Sequence, residues 1–260
     1  MDSTNRYCET LDLQRVDDFT CYWALEQTAG IGQRGNHWES APGENLTFSL
    51  VLHPTFLPAA SQFRLTQALS LGVADFLEEG ADGLDDFKGL KGLKGSKGSK
   101  GSKGSKGFKE TLVKWPNDVY VCGGKICGML VSNRLQGDIL DTAICGIGLN
   151  VNQSSFPEWV PHPTSLALLT GEKYDLEPTL LALLGHIGSR YDELRRGRDL
   201  EPEYLGRMMN YGVAARYRHH DKEITATITG VDRYGHLLLT TDDGEMLCCA
   251  MKMKEIEFIV

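Results

Sequence analysis

The stretch ETLVKWPNDVYVCGGKICGMLVS, residues 110–132, constrains the fold of this chain more than any other. It reads as strand, corner, strand, turn, strand: LVKW, then Pro116-Asn117-Asp118, then VYV, then the pair Gly123-Gly124, then ICGMLV. Pro116 fixes its own φ and pushes Trp115 towards an extended conformation, so the chain turns sharply after a strand. Such a corner can aim Asn117 and Asp118 away from the sheet, while Lys125 opens the returning strand. A hairpin of this length can bring Asp118 and Lys125 together. An acid, an amide and an amine at neighbouring strand ends suit a phosphate or carboxylate with a metal. The plain alternative is a polar hairpin carrying a surface salt bridge.

Other elements gather around this hairpin. CYWALEQTA (21–29), FSLVL (48–52) and ILDTAICGIGLNVN (139–152) read as further strands. Residues 59–79 place Leu69, Val73, Phe76 and Leu77 on one helical face and end near Gly80. A second helix starts near Pro178, at a favourable first position, and carries Leu180, Leu184, Ile187, Tyr191 and Leu194 before Gly197. The last fifty residues change character. EITATITGV, HLLLTT and MLCCAMK are short strands joined by the turn-like RYGH and DDGE, which predicts a small β-barrel appended to a mixed α and β domain.

The loop GIGQRG (30–35) has the G-x-G-x-x-G pattern of a dinucleotide-binding turn, but its surroundings do not fit. Pro42, Gly43 and Asn45 follow instead of a helix, and no acid stands near position 55, where Thr55 and Phe56 lie. The glycines need another explanation.

At 260 residues and 41% hydrophobic, the chain can bury one good core and a small second domain. No apolar run reaches membrane-spanning length and no basic-then-apolar leader opens the chain, so a cytoplasmic protein without a membrane partner is expected. Seven scattered cysteines without paired C-x-x-C motifs favour plain thiols over disulfides or zinc. Net charge is -8, yet the tract 88–109 holds eight lysines and no acid, so the remainder carries twice that negative charge and should repel nucleic acid. The tract repeats lysine and glycine every third residue without proline, which argues against a triple helix and for a disordered insert. A basic arm for an acidic partner is the alternative, with only Phe108 available for stacking.

Five segments, in order, resemble the biotin–protein ligases: MDSTNRY (D-S-T-N), EQTAGIGQRGNHW (Q-T-A-G-x-G-x-x-G-x-x-W), KWPNDVYVCGGKICGML (K-W-P-N-D, then a lysine before a G-I/M-L strand), CGIGLNVN (G-x-G-x-N) and TSL at 164–166. They cover roughly residues 2–170. The resemblance implies an α+β fold: a mixed sheet with packed helices, like a class II synthetase, in a catalytic domain over 1–209 that carries the insert 88–109. A small SH3-like barrel over 210–260 would complete it. The implied activity is ATP-dependent formation of biotinyl-5'-adenylate, with Mg²⁺, and transfer to a lysine of a biotin carboxyl carrier protein domain.

Under the same resemblance, Lys125 and Asp118 are the catalytic residues. Lys125 would hold the biotin carboxylate and the α-phosphate, and Asp118 would sit near the acceptor lysine or the metal. Ser3, Thr4, Asn5, Gln27, Gly30, Ile31, Gly32, Gln33 and Gly128 would join Lys125 around biotin. Arg34, Gly35, Trp38, Lys114, Asn117 and Asn150 would meet the nucleotide. The glycine loop would fold over biotin and its adenylate, its N–H groups approaching an anion closely. Ser3–Asn5 equally suits a helix N-cap, Trp38 and Trp115 equally suit core packing, and Arg34 a solvated loop charge. Ile31 and Gln33 stand where the family usually carries basic residues, and the strand the family places before D-S-T-N is not in the sequence. A repressor would need a helix-turn-helix domain ahead of D-S-T-N, so no DNA partner is expected; a homodimer is compatible. A lipoate–protein ligase and a non-catalytic biotin-binding homologue are the remaining alternatives. Deleting residues 88–107 is expected to change kcat/KM for the carrier by no more than about threefold, because long surface insertions cost little. Comparison at two salt concentrations checks this; a large loss confined to low salt would assign the lysines to steering an acidic carrier.

Overall fold

A computed structural model describes residues 1–79, 108, 111–251 and 255–259. The lysine-rich insert lies outside the described residues except for Phe108, whose N–H donates to the Leu77 carbonyl (3.1 Å) and whose ring packs on the core. Six strands form one sheet in the order β1-β2-β6-β5-β4-β3: β1 Thr20–Ala24, β2 Leu46–Leu52, β3 Thr111–Lys114, β4 Asp118–Val121, β5 Gly124–Gln136 and β6 Ile139–Leu149. All ladders in it are antiparallel, and parallel pairing is confined to isolated bridges such as Lys125–Pro163. A second sheet follows in the order β10-β9-β8-β7-β11: β7 Ala214–His219, β8 Lys222–Val231, β9 Leu237–Thr241, β10 Met246–Cys249 and β11 Ile256–Phe258. The expected α+β class therefore holds, but the sheet expected to be mixed is antiparallel among the described residues, and the end domain is present as a five-stranded antiparallel sheet.

The first sheet is covered on both faces, and the sequence alternation decides which face does what. In β2, LTFSLVL, the residues Leu46, Phe48, Leu50 and Leu52 enter the main core beneath the helices. Thr47, Ser49 and Val51 point the other way, where Thr47 bonds the Ala24 carbonyl, Ser49 meets Thr4 and Asn5, and Val51 joins a satellite cluster with Cys8, Leu13 and Ile144. In β6, Ala143, Cys145, Ile147 and Leu149 face the helices, while Ile144 and two glycines face the other side.

Of the helices, α1 (Thr4–Glu9) lies on that second face. The main core is closed by α2 (Phe63–Glu79) and α4 (Leu176–Arg195). Between them in sequence is α3 (Leu166–Thr170), capped by the Ser165 side chain, and after them α5 (Glu201–Gly206). Two expected helix starts move. α2 begins at Phe63, after a separate 3₁₀ turn at Ala59–Ser61, rather than at residue 59. α4 begins at Leu176 with Asp175 as N-cap, two residues before Pro178. Proline is tolerated throughout a first turn because the N–H groups there have no intrahelical acceptor.

Charge ties the helices together at their polar edge. Arg190 on α4 bonds Asp75 on α2, Glu193 on its own helix and Glu203 on α5. Arg207 bonds Asp75 and Glu78 from just beyond α5. Burial alone would raise the Asp75 pKa, but hydrogen bonds from Arg190 and Arg207, with their charges, outweigh it and hold the carboxyl below its usual range. A depressed carboxyl stabilises the fold above its unfolded pKa, about 3.9, and gives that contribution up as pH falls through the lower folded value. Asp75→Ala leaves two mostly buried guanidinium groups short of a shared partner and is expected to cost about 3 kcal/mol near neutral pH. Urea unfolding of both proteins from neutral pH down to about pH 3 checks it, and the difference should shrink as Asp75 protonates.

Candidate active site

The hairpin corner is locked from three sides. The Trp115–Pro116 peptide is cis. Trp115 Nε1–H donates to the Gly235 carbonyl in the second sheet (2.9 Å), and the Tyr204 hydroxyl on α5 donates to the Pro116 carbonyl (3.0 Å). Asn117 Nδ2 donates to the Met129 carbonyl on β5. Trp115 and Asn117 are both buried. With the corner fixed, β4 and β5 pair so that Asp118 stands opposite Gly128, and Lys125 Nζ donates to Asp118 Oδ2 at 2.6 Å. Lys125 is held by its backbone as well: its N–H donates to the His162 carbonyl (2.7 Å) and its carbonyl accepts from Thr164 N–H (2.9 Å). Both side chains stay about one-quarter exposed, at 24% and 27%, so this is a partly open pair rather than a sealed one.

Asp118 and Lys125 sit in the wall of a cavity of about 970 Å³. That is at the upper end of ordinary ligand pockets. Ser3, Thr4, Asn5 and Gln27 line it together with Gly128, Asn117, Lys114 and Asn150, and Trp38 lies against Gly128 with Lys125 Nζ 5.8 Å from its ring centroid. Ile31, Gly32, Gln33 and Gly35 of the glycine loop line its rim. Gly30 does not line it. Its carbonyl instead accepts from Trp38 N–H (3.1 Å), closing the loop at its base, and a side chain there would meet the Trp38 carbonyl at 2.5 Å. The Arg34 side chain lies outside the described residues. Trp115 serves packing and cavity wall at once.

The polar end is a connected network. Gln27 Oε1 accepts from Thr4 N–H (2.6 Å) and from the Thr4 hydroxyl (3.2 Å). The Ser49 hydroxyl lies within hydrogen-bonding distance of Thr4 Oγ1 (2.7 Å) and of Asn5 Oδ1 (2.5 Å). Ser3 occupies the N-cap position of α1, but its side chain makes no cap hydrogen bond, so that hydroxyl remains available to the cavity. The other end carries unmet demand. Asn150 Nδ2 donates to the Thr164 carbonyl (2.9 Å), whereas Asn150 Oδ1 is buried with no partner, as is Trp38 Nε1. Orphaned polar atoms in a cavity wall are what a ligand can satisfy.

The second sheet closes the cavity through Ile256, Glu257 and Phe258 on β11. Lys114 Nζ lies 5.3 Å from the Phe258 ring centroid and 5.4 Å from that of Tyr120. Burial pulls the Lys114 pKa down and, with the Asp118 charge, pushes the Tyr120 phenol up to about 12. Sequence reasoning missed β11, since nothing local in IEF points to a cavity whose other walls lie more than ninety residues away. It also missed Ser49, Gly146 and Gly148. Alternation along β6 is the signal that finds them: Gly146, Gly148 and Asn150 share one face. A side chain at 146 would meet Asn5 Oδ1 at 2.4 Å, and one at 148 would meet Trp38 Cε2 at 2.3 Å. Only glycine lets both groups lie on the sheet.

The chain is similar to known proteins. Residues 1–150 match the Biotin/lipoate A/B protein ligase family. The Bifunctional ligase/repressor BirA of Escherichia coli (strain K12) is 30% identical over 255 residues, spanning 93% of this chain and 68% of that protein. The Biotin--[acetyl-CoA-carboxylase] ligase of Paracoccus denitrificans is 27% identical over 89% of each chain. The solved structure of the biotin protein ligase from Aquifex aeolicus in complex with biotin and ATP superposes with a TM-score of 0.69 at 25% identity, covering 98% of this chain and 94% of that one. Gly148→Ala is expected to displace the Trp38 ring and to cost about 1–3 kcal/mol of stability. Near-ultraviolet circular dichroism with urea unfolding reads both effects. Unchanged tryptophan signal and stability would mean that Trp38 does not rest on β6.

Proposed function

The chain belongs to the biotin/lipoate A/B protein ligase family, and from that premise we propose that its cavity activates biotin with ATP as biotinyl-5'-adenylate and passes the acyl group to a lysine of a biotin carboxyl carrier protein domain. The observation that carries this reading is the placing of Lys125 and Asp118 in the same cavity as the Ser3–Asn5 network. One end can satisfy a ureido ring with hydroxyl, amide and backbone groups. The amine at the middle then meets a carboxylate.

In the first step a biotin carboxylate oxygen attacks the α-phosphorus of ATP, a new P–O bond forms and pyrophosphate leaves. Lys125 Nζ, fixed through its own backbone, offers a preorganised positive charge to the carboxylate and to the charge that develops on the phosphate. Lys114 and the loop N–H groups of Ile31, Gln33 and Gly35 supply further donors to the phosphate side, and Asn150 Oδ1 accepts from the nucleoside. Closure of the loop shields the mixed anhydride from water. In the second step the carrier amine attacks the acyl carbon, an amide bond forms, AMP departs and the amine loses a proton. Asp118 orients the incoming amine and Lys125 together.

The donor set suits Mg²⁺. The hydrogen bond from Lys125 uses Asp118 Oδ2, which leaves Oδ1 beside Gly128, and a single carboxylate oxygen with substrate phosphates is the ordinary way this ion is held. Bound there, it would neutralise triphosphate charge and ease the departure of pyrophosphate.

A reducing compartment such as the cytoplasm fits the free thiols, of which Cys8, Cys127, Cys145 and Cys249 are buried. No described helix is long and apolar enough to cross a membrane. The acidic balance outside the insert argues against a DNA partner. ATP-dependent transfer of labelled biotin to a carrier domain, with lipoate as control, tests the function as a whole. Lys125→Ala is expected to lower biotin-dependent pyrophosphate exchange by about 10²–10³ with the circular dichroism spectrum unchanged. Near-normal exchange would move the carboxylate contact to another residue.

A further inference from the structure

Away from the cavity, on the outer face of the second sheet, three side chains of mixed chemistry converge. Asp232 and His236 flank the β8–β9 turn, and Cys248 projects from β10, where it pairs with Leu238 two residues beyond His236. One donor atom from each of the three lies within 4.8 Å of the others, and among the described residues this is the only such group. Asp232 Oδ2 is 2.9 Å from His236 Nδ1. The other carboxylate oxygen accepts from the N–H groups of Tyr234 and His236 (both 2.9 Å), so the turn itself orients the carboxylate. Cys248 is exposed while its neighbour Cys249 is buried, as alternation requires, which leaves the thiol open to solvent.

We propose that Asp232, His236 and Cys248 form a binding site for one transition-metal ion of the Zn²⁺ class. The donor set is one thiolate, one imidazole and one carboxylate, a mixture that suits borderline metals and not the all-oxygen preference of Mg²⁺ or Ca²⁺. Two anionic ligands match the charge of a divalent ion with a neutral imidazole. Tetrahedral coordination at Zn–N and Zn–O of about 2.0 Å and Zn–S of about 2.3 Å sets the ligand atoms roughly 3.3–3.5 Å apart. The aspartate and histidine are already near that separation, and rotation of an exposed cysteine side chain closes the rest. Binding exchanges the thiol proton for the metal, and water completes the fourth position. The turn carboxylate, held by two N–H groups, has the support that metal ligands ordinarily receive from their surroundings.

The site also touches the catalytic corner. Gly235, inside the same turn, accepts the buried hydrogen bond from Trp115 Nε1. An ion bridging the turn to β10 therefore steadies the acceptor that holds Trp115, and occupancy at the second sheet adds stability to the first.

Titration of the metal-free protein with Co²⁺, a spectroscopic stand-in for Zn²⁺, tests the proposal. The expected result is a sulfur-to-cobalt charge-transfer band saturating at one ion per chain, unaffected by excess Mg²⁺ and abolished by Zn²⁺. Cys248→Ser should eliminate the band, and His236→Ala should weaken binding by at least about tenfold. Zn²⁺ should raise the unfolding temperature of the wild type and not that of Cys248→Ser. Cys122, the other exposed thiol, is the control: Cys122→Ser should bind as the wild type does. A band that survives in Cys248→Ser, is lost in Cys122→Ser, is displaced by Mg²⁺ or never forms would overturn the proposal.

Discussion

Three buried hydrogen bonds converge on the corner Trp115–Asn117, and the rest of the molecule is arranged around them. Trp115 reaches into the second sheet at Gly235, Pro116 receives the Tyr204 hydroxyl from α5, and Asn117 reaches across to β5 at Met129. Each joins the corner to a different element, so the corner is the point at which both sheets and the helical layer meet. Losing any one partner would strand a buried polar group at a cost of about 1–3 kcal/mol. The benefit to the site is positional. Asp118 follows the corner directly and Lys125 faces it across the hairpin, so their 2.6 Å contact is set by backbone that cannot drift. Tyr204 shows how far the support extends: its ring is fully buried, burial pushes its phenol pKa up, and it stands edge-on to Phe63 at the start of α2.

The hairpin was readable because proline, paired glycines and β-branched runs act locally. LVKW, VYV and ICGMLV each identify themselves, and the hairpin is short enough to let Asp118 reach Lys125. The glycine loop could be rejected as a dinucleotide turn for the same kind of reason. Helix starts were less legible. The 3₁₀ turn at Ala59–Ser61 has helical residue preferences yet stops before Phe63, and Pro178 marks a first turn without marking its first residue. What the sequence concealed was any dependence on distant partners. Ser49 looks like a polar interruption in an apolar strand until Thr4 and Asn5 are placed above it. Phe258 looks like a terminal strand residue until Lys114 is found against its ring.

Polar and apolar demands are separated by strand alternation alone. β2 and β6 run through the middle of the sheet, and one face of each is apolar while the other mixes hydroxyls or glycines with a small apolar cluster at Val51 and Ile144. The apolar face supplies the folding free energy by burying residues such as Phe48 and Leu50 under α2 and α4. The opposite face is free to be polar because Ser49 is answered by Thr4 and Asn5, and the Thr47 hydroxyl donates to the Ala24 carbonyl. A one-residue slip of either strand would exchange the two faces and put Ser49 into the helical core, so the register that builds the core also builds the site.

The two ends of the cavity differ in how completely their polar groups are satisfied, and that difference fits the order of the chemistry. Around Ser49 the hydroxyl, amide and backbone groups already form a network, which fixes their geometry for a small rigid substrate before it arrives. Around Asn150 and Trp38 buried atoms lack partners, and the neighbouring glycine loop bears Ile31 rather than a second charge. Unpaired polar atoms destabilise the empty cavity and are relieved on binding, so the second end gains more from its ligand than the first. The pair Asp118–Lys125 lies in the same wall, so a ligand that relieves Asn150 and Trp38 would also meet that paired charge.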